Sequence, residues 1–435
     1  MKRIILCFVT FATSLYSALG QEERLTPIEE IQQKVETQDA LITKLNNFKI
    51  TGYIQTQYQW GEKSANLKVG SPNTDVTKAF NRIGIRRGRL KFTYDAGDLA
   101  SGVFHLNIID KPGLTGATIQ LKEAYIYVKD PWFKNGAVKA GIFDRPFGNE
   151  VSYSSSLLES TERSRIISQL FPEESDLGGM LVLQPDVTSP LGFLKLEGGF
   201  FAGNAINPET DNRKDFIGHL SATKPIGNSA RWGLGTSYYN GGVYMTTAKV
   251  YSMNDGEFTV SMDNANIGKY AKREYFGFDG QFSFESPLGM TQLRGEYIWG
   301  TQPGSLLGTS SPNRSSLPSG ANVYDTYLRP MSGWYAILVQ DIGQIPFSAV
   351  IKYDVYDPNT GVSGNEVGRA AQEISTNCAD IKYNTLGFGL LWRIQPSLRL
   401  QAYYEFVKNE TTSGLEAFSS DQKDNSFTLR LQYKF

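Results

Sequence analysis

Seven basic side chains carry the clearest chemistry in this sequence. Arg87, Arg89 and Lys91 recur at every second position of the run Arg86-Arg87-Gly88-Arg89-Leu90-Lys91-Phe92. On an extended chain that spacing places all three on one face at steps of about 6–7 Å, with Leu90, Phe92 and Tyr94 on the other. Lys139 and Arg145 share a parity with Gly141, opposite Val138, Ala140 and Ile142, and Arg163 and Arg165 follow in a long connection. A row of cations facing water attracts anions and hands them along without holding any one tightly, and the guanidinium fork suits carboxylate, sulfate or phosphate oxygens. The same connection holds Glu150, Glu159, Glu162, Glu173, Glu174 and Asp176. Arg163 and Arg165 therefore fit structural salt bridges as well as a permeation path.

Other chemistries lack their residues. His105 and His219 are the only histidines, both on strand-like segments, which argues against a multi-histidine metal site and against a histidine-assisted nucleophile. Glu173-Glu174-Ser175-Asp176 lacks the spaced oxygen ligands of a calcium loop. With 43 basic and 44 acidic residues there is no surplus of positive charge for nucleic acid. No enzyme activity, metal or cofactor is expected. The expected partners are small hydrophilic solutes or anions, and lipid.

The elements that would position these cations are strands. Residues 1–20 read as a secretory signal: Lys2 and Arg3, an apolar run over 4–15, then small residues Ala18 and Gly20 before Gln21. Cys7 leaves with it, so Cys378 has no partner for an intramolecular disulfide. Residues 21–46 contain a helix, opened by a Thr26/Glu29 capping box with Pro27 at its first position and closed at Asn46-Asn47. Its apolar stripe of Ile28, Ile31, Val35, Ile42 and Leu45 suits either packing on its own chain or a trimeric coiled coil.

From residue 47 onward the chain alternates with period two. In 47–60, Phe48, Ile50, Ile54, Tyr58 and Trp60 share one face, and Lys49, Thr51, Gln55, Gln57 and Gln59 share the other. Sixteen such segments are predicted, at 47–60, 81–95, 99–110, 117–129, 136–144, 177–185, 191–203, 213–224, 229–240, 272–285, 289–301, 331–341, 346–356, 383–395, 397–407 and 425–435. Apart from a modest link at 111–116, long connections follow odd strands and short ones follow even strands. Outer-membrane barrels segregate external loops and periplasmic turns in this way, so both termini are expected in the periplasm. The fold expected is all-β: a 16-stranded antiparallel transmembrane barrel over 47–435, with a long third loop at 145–176. Its final strand alternates Phe427, Leu429, Leu431, Tyr433 and Phe435 with polar residues, similar to the terminal signature of bacterial outer-membrane proteins.

Residues 141–179 resemble the phosphate-selective porin O and P family in its Bacteroidetes form. The resemblance is carried by Gly141-Ile-Phe-Asp-Arg-Pro-Phe-Gly-Asn-Glu150, Glu162-Arg-Ser-Arg165 and Phe171-Pro-Glu-Glu-Ser-Asp-Leu-Gly-Gly179, supported by Gly199-Phe-Phe-Ala-Gly-Asn204 and Tyr275-Phe-Gly-Phe-Asp279. It implies a homotrimeric outer-membrane porin with its third loop folded into the pore, passing solutes by passive diffusion, and favours the trimeric reading of the helix. The family's phosphate-selective members carry Lys where this sequence has Asp144. Phosphate specificity therefore does not simply carry over, and a weak anion preference or a general diffusion pore fits equally well. A barrel that anchors a surface-binding or adhesive function is the alternative.

Overall fold

In the computed structural model the described residues are 44–109, 116–132, 134–209, 211–311, 324–371 and 374–435, with isolated positions between 34 and 42. The expected signal at 1–20 and most of the expected helix at 21–46 lie outside them. Lys34, Val35, Gln38, Ile42 and residues 44–46 are helical, and belong to a unit ending at Lys49, separate from the unit Ile50–Phe435.

Sixteen strands form the barrel wall: β1 (Phe48–Gly61), β2 (Phe80–Ala96), β3 (Ala100–Ile109), β4 (Thr118–Lys129), β5 (Gly136–Asp144), β6 (Ser175–Leu183), β7 (Leu194–Phe201), β8 (Asp215–Ile226), β9 (Ala230–Tyr244), β10 (Tyr270–Ser286), β11 (Gly289–Gly304), β12 (Thr326–Asp341), β13 (Phe347–Asp357), β14 (Tyr383–Gln395), β15 (Leu398–Asn409) and β16 (Ser426–Lys434). Each pairs antiparallel with its neighbours in sequence, and β16 returns to β1 in a register running from Tyr53↔Lys434 to Gly61↔Ser426. At the seam Gly52 N donates to Phe435 O and Phe435 N donates to Gly52 O, both at 3.0 Å. A side chain at Gly52 would strike the Arg89 carbonyl and the Phe435 ring, so the close approach requires glycine. Closure leaves no sheet edge in the wall.

The molecule is apolar outside and polar inside. Phe104, Ile126, Phe278, Phe388, Leu431 and Tyr433 are exposed, while Gln55, Gln57, Gln59, Arg430 and Gln432 are buried. A water-soluble protein would bury the first set, so the outer face fits hydrocarbon and the strands span a membrane. Among the described residues no helix is long and apolar enough to cross a membrane.

The long connections are 62–79, 145–174, 245–269, 305–325, 358–382 and 410–425, all after odd strands. The rhythm is weakest where 110–117 and 184–193 are of similar length. The second of these is wound into turns, with Ser189 N bonded to Asp186 O at 2.8 Å and Gly192 N to Ser189 O at 2.9 Å. Several strands run farther into the loops than the alternation predicts. β9 continues to Tyr244, and β12 begins at Thr326, ahead of Pro330. Beyond the bilayer the outer face no longer needs apolar side chains, so the pattern stops while the hydrogen-bonded ladder goes on. A hairpin of Lys249–Asn254 and Glu257–Met262, unforeseen in the sequence, also forms within the connection 245–269 and joins the wall in parallel at Val250↔Thr326.

Phe388 is half-exposed on the outer face near the middle of β14. Phe388→Arg is expected to destabilise the folded barrel in lipid vesicles by about 2–4 kcal/mol, read by denaturant unfolding.

Candidate functional site: the third loop and the lumen wall

The connection 145–174 folds into the barrel because the inner wall offers it an apolar seat. Phe147, Val151, Ile166, Ile167, Leu170 and Phe171 of the loop pack with Tyr239, Tyr275, Ile298, Met331 and Tyr356. These wall residues occupy inward positions of β9 to β13, where alternation alone calls for polar side chains. That breach of the pattern is legible in the sequence and is the signal that would have located the seat. Within the loop, α1 (Arg165–Leu170) turns Ile166, Ile167 and Leu170 into it.

Polar latches hold the rest of the loop. Gln55 Nε2 donates to Ser155 O at 3.0 Å, Gln432 Nε2 to Ser156 O at 3.1 Å and Gln401 Nε2 to Leu158 O at 3.0 Å. Glu162 receives three arginines: Arg86 at 2.8 Å, Arg87 at 2.9 Å and Arg430 at 2.6 Å. Burial pushes the Glu162 carboxyl up, but the guanidiniums of Arg86, Arg87 and Arg430 overcome it and hold the group well below the usual carboxylate range. Lys352 reaches Glu150 at 3.1 Å, and Glu296 accepts from the Asn149 amide at 2.5 Å and from that of Glu150.

Two irregularities aim the cations. On β2, Ile83 and Ile85 are exposed while Arg87 and Arg89, at the same parity, are buried. Arg86 and Arg87, although consecutive, both reach Glu162. On β4 the register jumps from His105↔Glu123 to Leu106↔Leu121, leaving Lys122 as the extra residue. Lys122 and Glu123 are then both buried in the interior. Lys122, missed by a strict period-two reading, bonds Asp144 at 2.7 Å, Glu174 at 2.8 Å and Ser175 Oγ at 3.0 Å. Burial raises the Glu174 carboxyl, and Arg163 and Lys122 bring it well below its ordinary value.

The seven cations singled out from the sequence divide by environment. Arg87 is buried in the Glu162 latch and also donates to Gln55 Oε1 at 3.1 Å. Arg145 is fully buried, its guanidinium 4.9 Å from the Phe171 ring and 3.9 Å from Asp176, donating to the Glu173 and Glu174 carbonyls. Arg163 pairs with Glu174 and donates to Glu150 O at 2.9 Å and Tyr153 O at 2.7 Å. Arg165 lies 4.1 Å over the Tyr383 ring. Arg87, Arg145 and Arg163 thus tie the loop down. Arg89, Lys91 and Lys139 instead border open space.

That space has two parts. A cavity of about 150 Å³ is lined by Arg86, Arg87, Arg89, Lys122, Glu173 and Glu174. A second, of about 410 Å³, lies nearer the short-turn end, bordered by Lys91, Tyr125, Tyr127, Lys139, Lys195 and Glu197. Lys91 approaches Glu123 at 3.6 Å, and Lys139 lies 4.1 Å over the Tyr125 ring and 4.7 Å over that of Phe143. A larger furrow, about 690 Å³, is on the apolar exterior, where Gly280, Gly295 and Ala336 pair side by side, and has no part in the lumen. Among the described residues no cluster of His, Cys, Asp and Glu could hold a metal ion.

The sequence matches no family model and no curated protein. Solved structures of similar fold include an outer membrane channel. The chain is similar to the outer membrane channel DcaP of Acinetobacter baumannii, with 12% identity, a TM-score of 0.52, and coverage of 89% of this chain and 97% of that one. It is similar to OmpF of Salmonella typhi, solved with daunomycin, at 10% identity and TM-score 0.51, over 89% and 97% of the two chains. It is also similar to OprB of Pseudomonas putida at 10% identity and TM-score 0.51, over 92% and 96%. At these identities the likeness is one of fold.

The Glu162 latch carries a pH expectation. A carboxyl held below its unfolded value, about 4.3, contributes stability above that pH and loses it only as pH falls through the depressed folded value. The Glu162 latch itself is therefore expected to hold from neutrality down to about pH 5, read as unchanged protease resistance of the loop tip around Glu162. Glu162→Gln leaves three guanidiniums without their anion, at a cost of about 3–5 kcal/mol. It is expected to release the loop tip, seen as new protease cleavage within 145–174 and noisier channel currents.

Proposed function

We propose that the protein is a bacterial outer-membrane porin through which small hydrophilic solutes diffuse passively, with a weak preference for anions. One observation carries the reading. Two open spaces remain along the lumen wall of β2 to β7, and Arg89 and Lys139 border them with no carboxylate in ion-pair range among the described residues. Other cations of this wall are matched, Lys91 by Glu123, Lys122 by Asp144 and Glu174, and Lys195 by Glu197. A path bordered by a small excess of cations favours anions without trapping them.

Phosphate specificity is not part of the proposal. Asp144, standing where phosphate-selective members of the resembled family carry Lys, neutralises Lys122 at 2.7 Å. The remaining wall lysines are point charges and cannot fork onto a phosphate. The alternation of loops and turns supports placing both termini in the periplasm. The apolar positions Val35, Ile42 and Leu45, 49%, 54% and 69% exposed, keep coiled-coil spacing and support a homotrimer zipped by its N-terminal helices.

In a salt-gradient bilayer the reversal potential is expected to have the sign of anion preference. Arg89→Gln with Lys139→Gln should bring the anion-to-cation permeability ratio near one. A cation-selective wild type would end the anion clause, and a chain without conductance would end the channel itself. Chemical cross-linking should trap trimers, and Val35→Asp with Ile42→Asp should reduce their yield.

A further inference from the structure

The cavity at the short-turn end of the lumen differs in chemistry from the arginine-rich space beside the loop. We propose that it is a binding site for organic carboxylates bearing a ring or a comparable apolar body, a refinement that rests on the channel reading above. Its volume, about 410 Å³, lies within the range of small-molecule pockets, roughly 300–1,000 Å³. Three lysines border it, and no arginine does. Lys195 is 2.8 Å from Glu197 and Lys91 is 3.6 Å from Glu123, so Lys139 is left as the cation without an ion pair among the described residues. One uncompensated positive charge suits a monoanion.

The rest of the lining is mixed: Thr93, Ser101 and Gln184 are polar, and beside them lies an apolar and aromatic wall. Val103, Met180 and Val182 form buried walls, and Tyr125 and Tyr127 present partly buried rings two positions apart on β4. Lys139 already sits over Tyr125, so an arriving carboxylate meets the ammonium beside an aromatic face. Inorganic phosphate or acetate would meet the same charge, but neither carries apolar surface to remove these walls from water. A benzoate-like anion uses both halves of the site: carboxylate on Lys139, ring against Tyr125, Tyr127 and Met180. Weak binding of this kind raises the local concentration of its ligand in the pore, and each brief, reversible stay interrupts the passage of other ions.

The test uses the full-length protein in planar bilayers, with benzoate, acetate, phosphate and benzyl alcohol added in turn on the short-turn side. Benzoate is expected to interrupt the current at a concentration about tenfold lower than acetate or phosphate, with benzyl alcohol, which has the ring without the charge, inactive. Lys139→Met should abolish the interruption, and Tyr125→Leu should weaken it severalfold. Equal responses to benzoate and acetate in a conducting wild-type channel would overturn the site and leave the porin reading intact. Persistence of the benzoate effect in a conducting Lys139→Met channel would also overturn it. A wild-type chain that carries no current would remove both. The wild-type comparison of four solutes decides the matter even where a variant fails to insert.

Discussion

Within a bilayer an unpaired backbone N–H or C=O has no water to turn to, and each such group costs several kcal/mol. A sheet that crosses lipid must therefore close on itself. Here closure is the β1–β16 seam, with Gly52 and Phe435 exchanging both backbone hydrogen bonds. Everything else follows from that ring. Its outer face must be apolar and its inner face is left to water, so side chains that a soluble domain would hide, such as Phe278 and Phe388, lie outside. Arg145, Arg273, Arg329 and Arg430 are among the largest fully buried side chains.

Buried arginines need partners, and the partners are where this interior becomes specific. Arg273 pairs with Asp215, which also accepts from Tyr239 OH at 2.6 Å. Arg329 meets Asp380 at 2.7 Å and draws the connection 358–382 onto β12. Arg430, Arg87 and Arg86 converge on Glu162. In each case an acid lies far along the chain from its base: Arg273–Asp215 ties two wall strands, while the Asp380 and Glu162 pairs fix a loop against the wall. An apolar seat supplies affinity for the third loop, while the charged latches set where its tip rests. The loop carboxylates thus engage several wall arginines, and what faces the open lumen is the remainder.

That remainder differs from what a ladder of identical cations would present. Arg89 stands beside the loop at the narrow cavity, and Lys139 stands among rings at the wider one. Between them Lys122 and Lys91 are each matched by acids. A solute crossing this wall meets a forked charge in a tight space and then a point charge in an aromatic one. On the proposed channel reading, such a sequence would sort anions by their apolar body as well as by charge.

The sequence by itself determined the barrel, its sixteen strands and the length contrast of its loops. Those properties are local: period-two alternation reflects a two-sided sheet, and turn chemistry marks where each strand ends. The apolar seat was also present, as Tyr239, Tyr275, Ile298, Met331 and Tyr356 at inward positions, but only a known register relates them to one another. Only the tertiary structure decided which of Arg87, Arg89, Lys91, Lys139, Arg145, Arg163 and Arg165 faces open space. The bulge at Lys122 shifts parity by one residue, and a one-residue slip exchanges the faces of a strand, while the consecutive Arg86 and Arg87 both reach Glu162. Pairing across the lumen depends on loop path and closure, which no spacing along the chain encodes. The row of alternating cations that opened the reading is real as a row, yet its members were divided between latch and lumen by contacts that begin more than seventy residues away.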